Sequence, residues 1–325
     1  MNWRDYDTFS SHNVPSTHLA GLRLHVRTHC DDTGKLPVLC VHGATIASRF
    51  FDIPHPEANW LRAIDSAGLC AYAMDVRGYG RSVDPRADDR KVPFARAAEA
   101  ILDIDDVVRW ISERHGTRVM LVGGSWGAIT AGLYTSTAGA DVVERLVFYA
   151  PVFSTMSSAP ASLLNVQGGN GIGAFRRVSE EETRARWDRE MPGGEFLRDE
   201  AVFQALIQST LADDDTATRT HPPTFRAPNG TLLDLAEVLS GQALYDPAAI
   251  YCPTLIVRGG LDPISTRTDA LGLFDRLGAR DRRYLEIANG THFVSAERLG
   301  RQVLQAVVAF LAEGACRDGG QNGAR

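Results

Sequence analysis

Short, continuous apolar runs recur along the chain at Pro37 to Val41, Leu69 to Met74, Arg118 to Val122, Arg145 to Tyr149, Pro253 to Val257 and Arg283 to Ile287. Their length and β-branched content predict strands covered on both faces. Leu22 to His29 alternates more clearly and predicts an amphipathic edge strand, with a turn at Asp31 to Lys35. Between the runs lie helix-period segments. From Phe94 to Glu113, Ile101, Ile104, Val108 and Ile111 recur at three- and four-residue steps, and Leu299, Val303, Val307 and Phe310 mark a last helix from Ala296 to Ala312. Alternating strands and helices predict an α/β class, with a mostly parallel central sheet and helices on both faces.

The alternation stops between residues 151 and 250, where polar helical patterns and the Pro- and Gly-rich stretch HPPTFRAPNG replace it. This predicts a core in two parts, 1–150 and 251–313, interrupted by a helical cap at 151–250 and followed by a disordered tail at 314–325. Within the cap, Glu180 with Arg184 and Glu182 with Arg186 have the spacing of i, i+4 ion pairs on a solvated helix face. Asp213, Asp214 and Asp215 lack calcium-loop spacing and read as a solvated turn.

Composition narrows the function classes. With 325 residues, 44% hydrophobic and 23% charged, the chain has the make-up of a globular protein with a sizeable core. A formal net charge of -6 supplies no basic field for a nucleic acid, so the expected partner is a small molecule. No apolar run is long enough to span a membrane, and the first residues lack the pattern of a signal peptide. The five cysteines are scattered, without a C-x-x-C pair, and read as buried inert thiols in a reducing compartment. Cytoplasmic residence is the expectation.

The run Arg118 to Val122 leads directly into GGSWG and then into a helix-compatible segment, AITAGLYTSTAG. Gly123, Ser125 and Gly127 therefore make a G-x-S-x-G pattern in a strand-turn-helix context. A serine on so sharp a turn needs neighbours without side chains, and the following helix aims its N-terminal N–H groups at the same place. Ser125 is the candidate nucleophile, and it needs a base and a group that orients the base.

Two downstream strands end at the same sheet edge. PTLIVRG runs into GGLDPIS, which places Asp262 in one loop, and RRYLEIA runs into NGTHF, which places His292 in the next. In this arrangement His292 takes the Ser125 proton and Asp262 holds the other ring nitrogen. Asp246 precedes its strand and falls at the opposite edge. His12, His18, His25, His29, His115 and His221 lie in loops, termini or outer strands and have no such placement. His42, beside Gly43, reads as a support for its turn, and neither it nor His55 has metal-ligand spacing. No metal and no cofactor are expected.

An oxyanion needs two N–H donors. The residue after the nucleophile, Trp126, supplies one, and the HGAT loop after PVLCV supplies the other, with Ala44 first and Thr45 next. Thr45, Phe153 and Met156 are candidate pocket residues, with the Trp126 side chain as another wall.

HG at His42 and Gly43, DVRGYGRS from Asp75 to Ser82, GGSWG, GGLD and GTHF together resemble the alpha/beta hydrolase superfamily with an inserted cap. The elbow is similar to that of proline iminopeptidases, although HGATIA replaces the glycine- and proline-rich loop of that subfamily. The resemblance implies that Asp75, Arg77 and Ser82 brace the site, and Ser125 departs from the aspartate elbow of epoxide hydrolases and haloalkane dehalogenases. The expected activity is hydrolysis of an ester, lactone or thioester through an acyl-enzyme. The same residues are also compatible with amide or carbon-carbon bond hydrolysis, or with a ligand receptor that has lost turnover.

Overall fold

The computed structural model describes residues 3–85, 89–153, 172–193 and 197–318. In chain order the first part of the core contains β1 (Ser10–Pro15), β2 (Arg23–Thr28), β3 (Pro37–Val41), α1 (Trp60–Ser66), β4 (Cys70–Met74), α2 (Ala97–His115), β5 (Val119–Gly124), α3 (Trp126–Thr135) and β6 (Val143–Tyr149). The intervening region carries β7 (Phe175–Ser179), α4 (Glu180–Asp188), α5 (Glu200–Asp213), β8 (Thr224–Pro228) and α6 (Gly230–Leu239). The core resumes with β9 (Thr254–Gly259), α7 (Arg267–Arg276), β10 (Arg282–Ile287) and α8 (Gly300–Asp318).

One eight-stranded sheet has the order β1-β2-β4-β3-β5-β6-β9-β10. From β4 to β10 all neighbours are parallel, while β1 and β2 pair antiparallel at one end. Alternate side chains of each strand feed opposite cores, as the pleat requires. Leu39, Tyr72, Leu121 and Phe148 face α2 and α3, whereas Val38, Ala71, Val122 and Val147 face Trp60 and Ile64 of α1 and Val303 and Phe310 of α8. Both faces are covered, which explains why the central strands read as unbroken apolar runs.

Three expectations need correction. β2 is not the edge, because β1 pairs outside it, and its residues from Leu24 to Thr28 are buried. The polar sequence SSHNVP of β1 has only one buried position, Val14, so no apolar run announces it. The region from 151 to 250 is not purely helical, since β7 and β8 form an antiparallel ribbon. The last helix continues to Asp318, and only residues 319–325 of the expected tail lie outside the described residues.

The cysteine expectation also fails in part. Cys30 follows β2 and Cys70 opens the adjacent β4; their Cα atoms stand 5.4 Å apart and the sulfurs are joined as a disulfide. Cys40 is a buried thiol and Cys252 a half-buried one. Among the described residues no helix is long and apolar enough to cross a membrane.

Of the three consecutive aspartates only Asp215 is the solvated residue expected of a turn; its side chain is 70% exposed. Asp213 ends α5 and is buried against the core. It accepts from Arg27 at 2.6 Å, Arg49 at 2.9 Å and Arg81 at 2.8 Å. Asp7 and Asp52 add the remaining negative charge to Arg49 and Arg27, and the Phe9 ring lies under all three guanidinium groups. Burial works against ionisation of Asp213, but Arg27 and Arg49 outweigh it and hold the carboxyl below its ordinary pKa. Asp214 is buried too and caps the return of the chain, accepting from the N–H groups of Thr216 and Arg226. The intervening region is thereby fastened to β2 and to the loops after β3 and β4.

Removing one partner of a buried charge network strands the others, at a cost of about 3–5 kcal/mol. Asp213→Ala is expected to lower the urea-unfolding stability at neutral pH by that amount, and Asp215→Ala to change it by less than about 0.5 kcal/mol. Equal, small effects of both substitutions would refute the tether.

Candidate active site

Ser125 occupies the step between β5 and α3 with φ 55° and ψ -116°, a left-handed backbone that few residues other than glycine adopt. Close approaches on both sides enforce the step. A Cβ on Gly127 would lie 2.2 Å from the Val41 carbonyl oxygen, and one on Gly123 would lie 2.4 Å from the Gly127 carbonyl oxygen. The Ser125 N–H donates to the Tyr149 carbonyl at 2.9 Å, so the end of β6 fixes the turn from the other side.

The structure brings the three sequence-predicted residues together. His292 Nε2 is 2.9 Å from Ser125 Oγ, and His292 Nδ1 is 2.7 Å from Asp262 Oδ2. Asp262 Oδ1 accepts from the N–H groups of Ile264 and Ser265, each at 2.8 Å. Burial opposes ionisation of Asp262, but His292 and these two N–H groups prevail and lower its pKa. An ionised Asp262 makes Nδ1 the protonated nitrogen, which leaves Nε2 free to accept the Ser125 proton. Asp246 is far from this chemistry in role: it is exposed and caps a short turn through the Ala248 N–H.

Ala44 and Thr45 lie beside Ser125. A Cβ on Gly43, the preceding residue, would stand 3.6 Å from Ser125 Oγ. Among the described residues no protein acceptor engages the backbone N–H of Ala44 or of Trp126. His42 supports this loop, with Nδ1 at 2.8 Å from the Gly43 carbonyl and Nε2 accepting from the Val76 N–H. Asp75 and Ser82 are braces as well: Asp75 accepts from the Ser48 and Arg81 N–H groups and contacts His25, while Ser82 donates to the Asp75 carbonyl. Arg77 is held by Asp103.

A cavity of about 590 Å³ opens onto Ser125 and His292. Of the candidate pocket residues Thr45 lines it, together with Ala44, Phe50, Leu232, Leu235 and Phe293. Phe153 does not. The chain turns at Ala150, φ 46°, and carries Phe153 into the core against Tyr245, at a ring separation of 5.6 Å. The Trp126 side chain is also withdrawn, its indole N–H bonded to Asp234. Met156 lies outside the described residues.

Several contributors escaped the sequence reading. Tyr149 Oη donates to the His292 carbonyl at 3.0 Å and accepts from the Ser295 N–H, linking the elbow's anchor to the histidine loop. Asp234 of α6 joins Trp126 to Arg96 and to the Ala97 N–H at the start of α2. Glu190 accepts the His292 backbone N–H at 2.9 Å. Each is separated from its partner by a long stretch of chain, and no local spacing marks it.

Comparison with known proteins follows the same lines. A model of the "Alpha/beta hydrolase family" matches residues 38–306. No curated protein matches the chain. Among solved structures, a serine hydrolase involved in carbazole degradation superposes with a TM-score of 0.64 at 20% identity, covering 94% of this chain and 99% of the other. The monoacylglycerol lipase of Paleococcus ferrophilus gives 0.61 at 19% identity, with 90% and 99% covered. A meta-cleavage product hydrolase gives 0.64 at 16% identity, with 94% and 98% covered.

Glu190 offers a test of the histidine loop's electrostatics. Burial, partly offset by His292 and reinforced by Asp262, raises its pKa above the ordinary 4.5. The folded protein therefore holds this proton more tightly than the unfolded chain, and stability falls as pH rises through 4.5 toward the folded value. Glu190→Gln lacks that loss, so its unfolding free energy should gain on the wild type as pH rises from 4 to 8. A difference that does not change with pH would show that Glu190 ionises as freely as in the unfolded chain.

Proposed function

We propose, from the premise that the chain belongs to the alpha/beta hydrolase family, that it is a serine hydrolase cleaving a small ester, lactone or thioester through an acyl-enzyme on Ser125. One observation carries the reading: an unbroken Asp262–His292–Ser125 hydrogen-bond chain opens onto a cavity beside two unengaged backbone N–H groups.

The steps follow from that geometry. Ser125 Oγ attacks the acyl carbon as His292 Nε2 takes its proton, and Asp262 stabilises the imidazolium without taking a proton itself. The carbonyl oxygen becomes an oxyanion that accepts from the N–H groups of Ala44 and Trp126; each donor of this kind contributes about 3 kcal/mol at the transition state. Collapse expels the alcohol or thiol, which leaves with the proton held on Nε2. Water then enters, His292 serves again as base, and the second tetrahedral species releases the acid and restores Ser125. The strained elbow supports the reading, since it points the serine into the cavity and starts a helix behind the oxyanion.

A fluorophosphonate should label Ser125 alone, read by intact mass and peptide mapping, and Ser125→Ala should take no label. Asp262→Asn should stay folded yet lose about 10⁴-fold in kcat on a p-nitrophenyl ester, because the amide imposes the wrong histidine tautomer. Asp246→Asn should do far less. Short p-nitrophenyl esters should exceed aminoacyl and prolyl anilides in kcat/KM, since an amine leaves only when protonated in place. A prolyl anilide preferred over every ester would replace this reading with an aminopeptidase, and an unlabelled, inactive wild type would leave a receptor.

A further inference from the structure

Four arginines line the cavity, Arg176 and Arg177 on β7 and Arg186 and Arg189 in and after α4, against one acid, Glu182. None of the four has a carboxylate within ion-pair distance among the described residues. Arg27, Arg49, Arg77, Arg96 and Arg184, by contrast, are each ion-paired. The acids nearest in sequence are committed elsewhere. Glu182 accepts from Ser179 as the cap of α4, and Glu190 accepts from the His292 N–H.

Arg176 and Arg186 converge on a single hydroxyl. Arg176 Nη2 is 3.2 Å from Thr45 Oγ1 and 2.6 Å from the Ala44 carbonyl, and Arg186 Nη1 is 3.4 Å from the same Thr45 oxygen. Their other hydrogen-bond and ring contacts are neutral, with Arg176 reaching the Pro228 carbonyl and Asn229 and Arg186 lying over the Phe293 ring; Glu190 feels the Arg186 charge but is not ion-paired to it. Burial, opposed by Tyr79 and reinforced by the Arg186 charge, lowers the Arg176 pKa. Two like charges converging on one hydroxyl, with no ion-paired carboxylate among the described residues, are costly, and a bound oxyanion would relieve that cost.

Resting on the acyl-hydrolase reading above, we infer that the substrate carries a carboxylate on its acyl chain, which Arg176 and Arg186 bind at the Thr45 end of the cavity. Thr45 lies two residues beyond Gly43, which abuts Ser125, so its Cα is within about 7.6 Å of that of Gly43. A chain of three or four carbons bridges such a distance, which makes half-esters and related derivatives of short dicarboxylic acids the matching class. Arg186 is the better variant to test, because Arg176 also braces the Ala44 carbonyl.

The probe is p-nitrophenyl hydrogen glutarate against its methyl ester, which has the same acyl chain without the charge. The wild type should favour the anionic ester in kcat/KM by about 10- to 100-fold, as expected for charge-assisted hydrogen bonds, with the gain lost at high salt. Arg186→Gln should bring the ratio close to one and Arg186→Lys should retain part of it. Arg184→Gln, whose parent is paired to Glu180 and Glu200 on the same helix, should leave the ratio intact. Calorimetry of glutarate with Ser125→Ala reads the site without turnover, so it separates this inference from the mechanism: binding that Arg186→Gln abolishes supports the site even if no ester is cleaved. A wild-type preference for the methyl ester, a preference for the anion that survives Arg186→Gln, or glutarate binding indifferent to Arg186 would each overturn the assignment.

Discussion

The contact between Gly127 and the Val41 carbonyl is the constraint on which the site depends. With a methyl group at position 127 falling 2.2 Å from that oxygen, only glycine lets α3 start directly behind the end of β3. That approach leaves Ser125 with a left-handed backbone at the junction, and the strain persists because β6 holds its N–H and β3 holds its flank. The parallel order of β3, β5, β6, β9 and β10 then brings the loops carrying Ala44, Ser125, Asp262 and His292 to one edge. A functional arrangement spread over 250 residues of sequence is thus set by strand direction and a missing side chain.

What could be read from sequence was what depends on local periodicity. The central strands are buried on both faces, so their apolar runs gave their positions within a residue or two, and the loops that follow them gave Ser125, Asp262 and His292. What could not be read depends on partners far apart. Asp213 looked like a turn residue because its three arginines come from positions 27, 49 and 81. Arg186 looked like half of a solvated pair because Glu182 has the right spacing, but the Glu182 carboxylate turns back and accepts from the Ser179 N–H. β1 and β7 are largely half-exposed or exposed and polar, and β8, although buried from Phe225 to Pro228, is interrupted by Arg226 and Pro228, so all three lack the signal that marks the central strands. Cys30 and Cys70 meet only because β2 and β4 are sheet neighbours, although forty residues separate them.

Two groups of arginines differ in how their charge is matched, and on the proposed reading that difference separates stability from recognition. Around Asp213 the buried Arg27 and Arg49 and the exposed Arg81 are matched in charge by Asp213, Asp7 and Asp52, which lets a polar cluster hold the inserted region to the core. Those on β7 and in and after α4 face the cavity without an ion-paired carboxylate among the described residues, and the hydrogen-bond and ring partners of Arg176 and Arg186 are carbonyls, a hydroxyl, an amide and an aromatic ring. Charge that served only solubility would sit on the outer face of α4, as Arg184 does with Glu180 and Glu200.

The same division follows the two parts of the chain. In the proposed mechanism the core contributes the nucleophile, the base, the acid and the oxyanion donors, all on loops whose backbone is fixed by the sheet. Among the described residues the inserted region contributes no atom to that relay. It supplies the cavity's arginines, the Glu190 carboxylate against the histidine loop and, through Asp234, the brace behind Trp126. Changes in β7 and α4 can therefore alter what the cavity accepts while the elbow and its hydrogen-bond chain stay in place, because the cluster at Asp213 fastens the insertion independently of the residues that meet the ligand.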